Sequence, residues 1–407
     1  MLRTPLLVLA ISLAASTASA QPEERGPHAF TSWDAGRISL DGTSIPVVAY
    51  YPTDARGPFP VVAVVHGAGR NLSYMAEMAR TFASHGFVAL TPSIPCTPIA
   101  CNHQANARQV RALLEWGVAQ SALDSSLLAG LVDGERRGVV GHSWGGLAVF
   151  LAAAGHPEID AVVTLDPNDD AGTAAAVAGT VTQPNAHLMA QVMGACNATN
   201  WKDTVFPHTP APHLRLVVTG AGHCDVEDPT DGLCALLCTA GAGLTLAPVF
   251  RRYAVAFMTC ALDGDPAMAP YVGGSALDAD ATGHVIQYVS QDGLDALACR
   301  GGGLPDAGTI DVDASVVEVD AGVVAEDAAA ADDAGVPGVD ASLLPPDGGG
   351  ASDGGASPRF DGGTSPAPSA GGCGCAAAGR GEGGARLALA LGLLVVGLRR
   401  RARLPMA

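Results

Sequence analysis

Gly141-His142-Ser143-Trp144-Gly145-Gly146 lies between the apolar run Gly138-Val139-Val140 and the longer run Leu147-Ala148-Val149-Phe150-Leu151-Ala152-Ala153-Ala154. The first run reads as a short buried strand and the second as an apolar helix, so the six residues between them make a strand-to-helix turn. A serine at the centre of such a turn has its hydroxyl pushed clear of the backbone, in position to act as a nucleophile. Glycines at 141 and 145 suit this geometry, because side chains there would clash across a strained turn. Trp144 comes next in the chain, where its backbone N–H faces the reacting carbonyl.

Outward from this turn, residues from about Phe30 to Arg300 alternate strand-like and helix-like stretches. This is the pattern of an α/β domain with a mostly parallel central sheet and helices on both faces. The strands expected before the turn are Val47–Tyr51, Pro60–Val65 and Gly86–Leu90. Those after it are Ala161–Leu165, His187–Val192 and Leu214–Val218, the last two of the sheet. Helices are expected over Ser73–Ser84, Asn106–Trp116 and Arg251–Leu262, the last of these closing the domain.

In open parallel sheets, ligand chemistry gathers at the carboxyl ends of the strands. Ser143, Asp166 and His223 all fall there. A serine hydroxyl needs a base to accept its proton as it attacks, and the imidazole of His223 suits that role near neutral pH. A carboxylate at Asp166 would hold the imidazole in one tautomer and stabilise its charged form. Asp169, Asp170 and Asp203 are the competing acids. Asp166 is favoured because the segment Gly194–Thr199, after the following strand, carries no carboxylate. His208, His213 and His284 compete for the base, but only His223 follows closely on a strand end. His66 and His142 read as supports of their turns. The second oxyanion donor, beside Trp144, is expected from the loop after Val65, with Ala68 chosen ahead of Gly69.

Composition separates this domain from both ends of the 407-residue chain. Arg3, the apolar stretch Leu6–Leu13 and Ala18-Ser19-Ala20 form the pattern of a signal peptide over residues 1–20, so the catalytic domain is expected over 21–300. Residues 301–372 are rich in Ala, Gly and Asp, with 13 acidic residues against Arg359 alone, most of the formal net charge of −18. Such a segment buries too little to order itself, and an Asp-Ala-Gly refrain along it reads as a disordered, solvated linker rather than calcium loops. Residues 373–407 carry Cys373, Cys375, the apolar run Leu387–Leu398 and an arginine cluster. The run is 12 residues, short of the ~20 that span a bilayer. No long insertion reads as a lid, so an open cleft for an extended or polymeric ester is expected. An acidic chain gives no reason to expect nucleic acid.

Eight cysteines lie within the first 300 residues: Cys96, Cys101, Cys196, Cys224, Cys234, Cys238, Cys260 and Cys299. An even number in an exported domain reads as disulfides, and no Cys-x-x-Cys or His-Glu-x-x-His motif points to metal. Nearness favours Cys96 with Cys101 and Cys234 with Cys238, leaving the other four open.

With these residues in view, the domain resembles α/β-hydrolases of the dienelactone hydrolase, chlorophyllase and bacterial cutinase (polyester hydrolase) group. His66-Gly67-Ala68 with Ala83-Ser84-His85-Gly86-Phe87-Val88 is similar to that group's oxyanion loop and next strand, and Gly141–Gly146 to its nucleophile turn. Chlorophyllase-like members imply an acid at a segment like Leu165-Asp166-Pro167 and a base at one like Gly222–Asp225. Cutinases place the acid after the penultimate strand instead, and this chain departs from them there. Their disulfides imply pairing of Cys196 with Cys224 and of Cys260 with Cys299. The C-terminal segment resembles myxobacterial sorting tags, which implies processing at Cys373 or Cys375 and anchoring at the cell surface. The resulting expectation is a secreted, surface-anchored, monomeric serine hydrolase of carboxylic esters that needs no metal or organic cofactor. A binding module on a non-catalytic hydrolase scaffold is the alternative from another class, and a peptidase or acyltransferase is a weaker one.

Overall fold

The computed structural model describes residues 21–169, 171–198, 201–238 and 245–300. The signal-peptide, linker and tag expectations fall on residues outside that range. Eleven strands and eight α-helices follow one another in the described chain. In order they are β1 (Phe30–Leu40), β2 (Thr43–Pro52), β3 (Phe59–Val65), α1 (Ala76–Ser84), β4 (Val88–Pro92), β5 (Cys96–Thr97), β6 (Ala100–Cys101), α2 (His103–Ser121), β7 (Val132–His142) and α3 (Trp144–Ala153). There follow β8 (Ala161–Leu165), α4 (Thr173–Val177), β9 (Asn185–Ala190), α5 (Trp201–Thr204), β10 (His213–Val218), α6 (Gly232–Cys238), α7 (Ala247–Leu262), α8 (Ser275–Thr282) and β11 (Ile286–Asp292).

Nine strands form one sheet in the order β1-β2-β4-β3-β7-β8-β9-β10-β11. The six from β4 to β10 run parallel, while β1, β2 and β11 pair antiparallel at the two edges. This is the α/β-hydrolase architecture, a mostly parallel sheet with helices on both faces. β5 and β6 form a separate small hairpin.

The period-two alternation of the central strands makes two cores. Val62 and Val64 of β3 point to one face with α1 and α7, while Val61, Ala63 and Val65 point to the other with α2 and α3. Such strands are apolar throughout because both faces are covered. α3 is buried along almost its whole length, which is why its sequence shows no polar stripe. Each large side chain buried there, such as Phe150, contributes roughly 1.5–3 kcal/mol.

Three sequence expectations are corrected here. Leu214–Val218 does not end the sheet: α8 and β11 follow, and β11 covers the outer edge of β10. The cysteines pair as Cys96–Cys101, Cys196–Cys238, Cys224–Cys234 and Cys260–Cys299. The first and last were expected. Cys234 does not bond Cys238, because both lie on α6 four residues apart. Cβ atoms in that relation sit about 5–6 Å from each other, against the 3.5–4.5 Å that a disulfide requires. Cys196 does not bond Cys224, since Cys234 takes Cys224 and Cys238, one turn further along α6, takes Cys196.

Candidate active site

β3, β7, β8, β9 and β10 end side by side, and the residue types that follow them are what make a site. After β7 the chain turns sharply into α3 with Ser143 at φ 56°, ψ −125°, a left-handed conformation that a non-glycine residue adopts only under constraint. The constraint is visible at its neighbours. A Cβ on Gly141 would lie 2.2 Å from the Gly145 carbonyl oxygen, and one on Gly145 would lie 2.3 Å from that of His66. Only glycine lets α3 begin this close to both strands. The Ser143 N–H donates to the Leu165 carbonyl at 3.0 Å, which locks the turn to the end of β8.

The Ser143 hydroxyl donates to His223 Nε2 at 2.9 Å, and His223 Nδ1 donates to Asp166 Oδ2 at 2.6 Å. All three side chains are buried. Asp166 sits directly after β8 at φ 41°, and its own N–H is bonded to the Leu188 carbonyl of β9. Its Oδ1 accepts the Ala190 N–H at 2.9 Å, and its Oδ2 accepts Asn197 Nδ2 at 2.9 Å. Sequence reasoning misses Asn197, because it searches that segment for carboxylates and not for donors to one.

The competing residues lie elsewhere. Asp169 caps α4, accepting from the N–H groups of Thr173 and Ala174. Asp203 is exposed on α5, and Asp170 is outside the described residues. His208 and His284 are exposed, and His213 faces Ser290 on β11 at 2.9 Å.

The loop after β3 passes against the serine, so close that a Cβ on Gly67 would lie 3.0 Å from Ser143 Cβ. The N–H of Gly69, the alternative to Ala68 in that loop, is committed to the Cys96 carbonyl at 2.8 Å. Trp144 opens α3, where the first N–H groups of a helix have no acceptor within it. The N–H groups of Ala68 and Trp144 are the two donors expected from the sequence for a tetrahedral oxyanion.

Two further imidazoles brace this centre. His66 Nδ1 donates to the Gly67 carbonyl at 2.7 Å, and burial pulls its pKa down to about 4. His142 Nε2 donates to the His223 carbonyl at 2.9 Å, and burial holds it well below the ordinary histidine range. Behind them Arg70 pairs with Glu227, Nε to Oε1 at 2.8 Å, and with Asp231, joining the loop after β3 to the segment after His223. Burial pushes the Glu227 carboxyl up against the opposing pull of Arg70.

A serine, histidine and aspartate in hydrogen-bonded sequence, carried on the ends of β7, β10 and β8 with the chain order serine, acid, histidine, are the arrangement of one superfamily. The chain has the α/β-hydrolase fold and is similar to cutinases and PET hydrolases. A family model described as PET hydrolase-like matches residues 14–192, which takes in Ser143 and Asp166 but stops short of His223. Cutinase cut1 of Thermobifida fusca is 30% identical over 174 residues, 40% of this chain and 52% of the relative. Bis(hydroxyethyl) terephthalate hydrolase of Streptomyces coelicolor is 29% identical over 154 residues, 38% of this chain and 47% of the relative. The chain thus spans about half the length of the curated relatives it matches.

Proposed function

We propose that this chain is an exported serine hydrolase that cleaves carboxylic esters through an acyl-enzyme. The single observation that carries the reading is the continuous hydrogen-bond path from the Ser143 hydroxyl through His223 to Asp166. The similarity to cutinases and to a bis(hydroxyethyl) terephthalate hydrolase supports esters as the bond class.

In this reading Ser143 Oγ attacks the ester carbonyl carbon while His223 Nε2 takes its proton. The oxyanion rests on the N–H groups of Ala68 and Trp144, each worth about 3 kcal/mol when preorganised. Collapse breaks the bond to the alkoxy oxygen, which leaves as the alcohol with the proton from His223. A water molecule then repeats the sequence on the acyl group and restores the serine. Asp166 keeps the Nδ1–H of His223 in place and faces the positive charge that forms on the ring.

Export is part of the proposal: the leader-like residues 1–20 and four disulfides fit an oxidising compartment. Anchoring through the arginine-flanked tag belongs to the same proposal, with the acidic segment as tether and a monomer as the working state. The test is turnover of p-nitrophenyl butyrate and labelling by a fluorophosphonate. Wild type should do both, and Ser143→Ala should do neither while keeping its circular dichroism. Equal turnover by the two proteins would overturn the assignment.

A further inference from the structure

The carboxylate of Asp166 can rotate about its last side-chain bond, a torsion with only broad preferences. What fixes it is its set of donors: Ala190 N–H at Oδ1, and both His223 Nδ1 and Asn197 Nδ2 at Oδ2. Asn197 is 3% exposed and its amide is engaged at both ends. Its Nδ2 also reaches the Val192 carbonyl at 3.2 Å, and its Oδ1 accepts the Gly194 N–H at 2.7 Å. A flip of the amide would break all of these bonds at once.

Asn197 is also tied covalently. Its neighbour Cys196 is bonded to Cys238 at the end of α6, and Cys234 on the same helix is bonded to Cys224, the residue after His223. The path His223, Cys224, Cys234, Cys238, Cys196, Asn197, Asp166 and back to His223 is a closed ring. It is covalent except at the two hydrogen bonds that meet on Asp166 Oδ2.

We propose that Asn197 is a positioning residue for Asp166, and that the two disulfides joined through α6 hold its amide on the carboxylate while His223 changes charge. This rests on the reading of Ser143, His223 and Asp166 as a catalytic set. Without the amide, the carboxylate keeps its charge but loses one of the donors that aim its lone pairs at the imidazole. The loss falls on the step in which His223 becomes charged, and so on kcat more than on KM.

The test compares wild type with Asn197→Ala, Asn197→Ser and Asn197→Asp on p-nitrophenyl butyrate, together with the rate of fluorophosphonate labelling. Asn197→Ala should lower kcat and the labelling rate about ten- to hundredfold with KM within about threefold. Asn197→Asp places a second carboxylate beside Asp166, with His223 beyond it and Lys202 lining the same small cavity. Its kcat/KM profile should gain an ionisation that wild type lacks. Replacing Cys196 and Cys238 together by Ser should lower kcat in the same direction, and adding Asn197→Ala to that pair should lower it by less than the two effects multiplied.

Wild-type kcat and pH profile in all three Asn197 variants would overturn the proposal while leaving the serine-hydrolase reading intact. If Asn197→Ala does not fold, Asn197→Ser, which retains a small polar side chain, decides the question in its place. A wild-type protein that neither turns over ester nor labels at Ser143 would overturn both.

Discussion

Replacing Asp166 by Asn changes one atom and should remove nearly all ester turnover. Oδ1 of Asp166 accepts the Ala190 N–H at 2.9 Å, so the amide oxygen of an asparagine must take that place. Its NH2 group then points at the position of Oδ2, where His223 Nδ1 and Asn197 Nδ2 both arrive as donors. Donor would face donor. His223 escapes the conflict by moving its proton from Nδ1 to Nε2, and Nε2 is the atom 2.9 Å from the Ser143 hydroxyl. The base then has no lone pair to offer the serine. The same tautomer fault in a serine protease lowers kcat by about 10⁴-fold, equivalent to about 5 kcal/mol of transition-state stabilisation. The assay is steady-state hydrolysis of p-nitrophenyl butyrate near pH 8, with Asp203→Asn as the comparison. Asp166→Asn should fall by about three to four decades and Asp203→Asn should stay close to wild type. An Asp166→Asn protein within about tenfold of wild type, or a matching loss in Asp203→Asn, would refute the reasoning.

Stability should fall as the solution is made acid. His66 is held neutral by burial with its pKa lowered to about 4, whereas in the unfolded chain it takes up a proton near 6.5. The contribution is therefore complete above pH 6.5 and is lost as pH falls from 6.5 toward 4, by about 3 kcal/mol in all. His142 and His187 are lowered by burial in the same direction and add to the loss. Urea unfolding at pH 7.5, 5.5 and 4.5 measures it, and an unchanged midpoint across that window would contradict the burial of these rings. Gly145→Ala should destabilise the domain by about 2–4 kcal/mol, since the new Cβ meets the His66 and Val65 carbonyl oxygens at 2.3 and 2.8 Å with no flexible side chain to yield. Circular dichroism against urea checks this, and a wild-type midpoint would show that α3 can move away from β3 without cost.

The parts of the fold that the sequence revealed are those where burial on both faces leaves a nearly unbroken apolar run. β3 is of this kind, β8 is broken only by Thr164 and β10 only by His213 and Arg215, and Ser143, Asp166 and His223, which follow β7, β8 and β10, could be placed from such stretches. β1 and β11 are edge strands with one partner each, and polar residues interrupt them, so neither stands out as an apolar run. The cysteine pairs show the other limit. Cys96 and Cys101 close a hairpin and pair locally, but the partners of Cys196 and Cys224 depend on which face of α6 meets which loop, a relation that spacing does not contain. Asn197 escapes notice because an amide acting on a carboxylate has no motif. The nearest signal is the cysteine beside it.

The bond between Cys260 and Cys299 bears on how the domain would carry load. Cys299 is the second-last described residue, and Cys260 lies near the end of α7, among the residues buried against the sheet. A pull applied to the chain beyond Arg300 would pass through the sulfur atoms into α7, and the 38 residues between the two cysteines, α8 and β11 among them, would stay out of the line of force. An edge strand such as β11 can otherwise be peeled from its neighbour one hydrogen bond at a time. Here the stress would reach the middle of the apolar core instead, where many contacts must yield together. Drag on the C-terminal end would therefore leave the positions of Ser143, Asp166 and His223 undisturbed until the whole domain gives way.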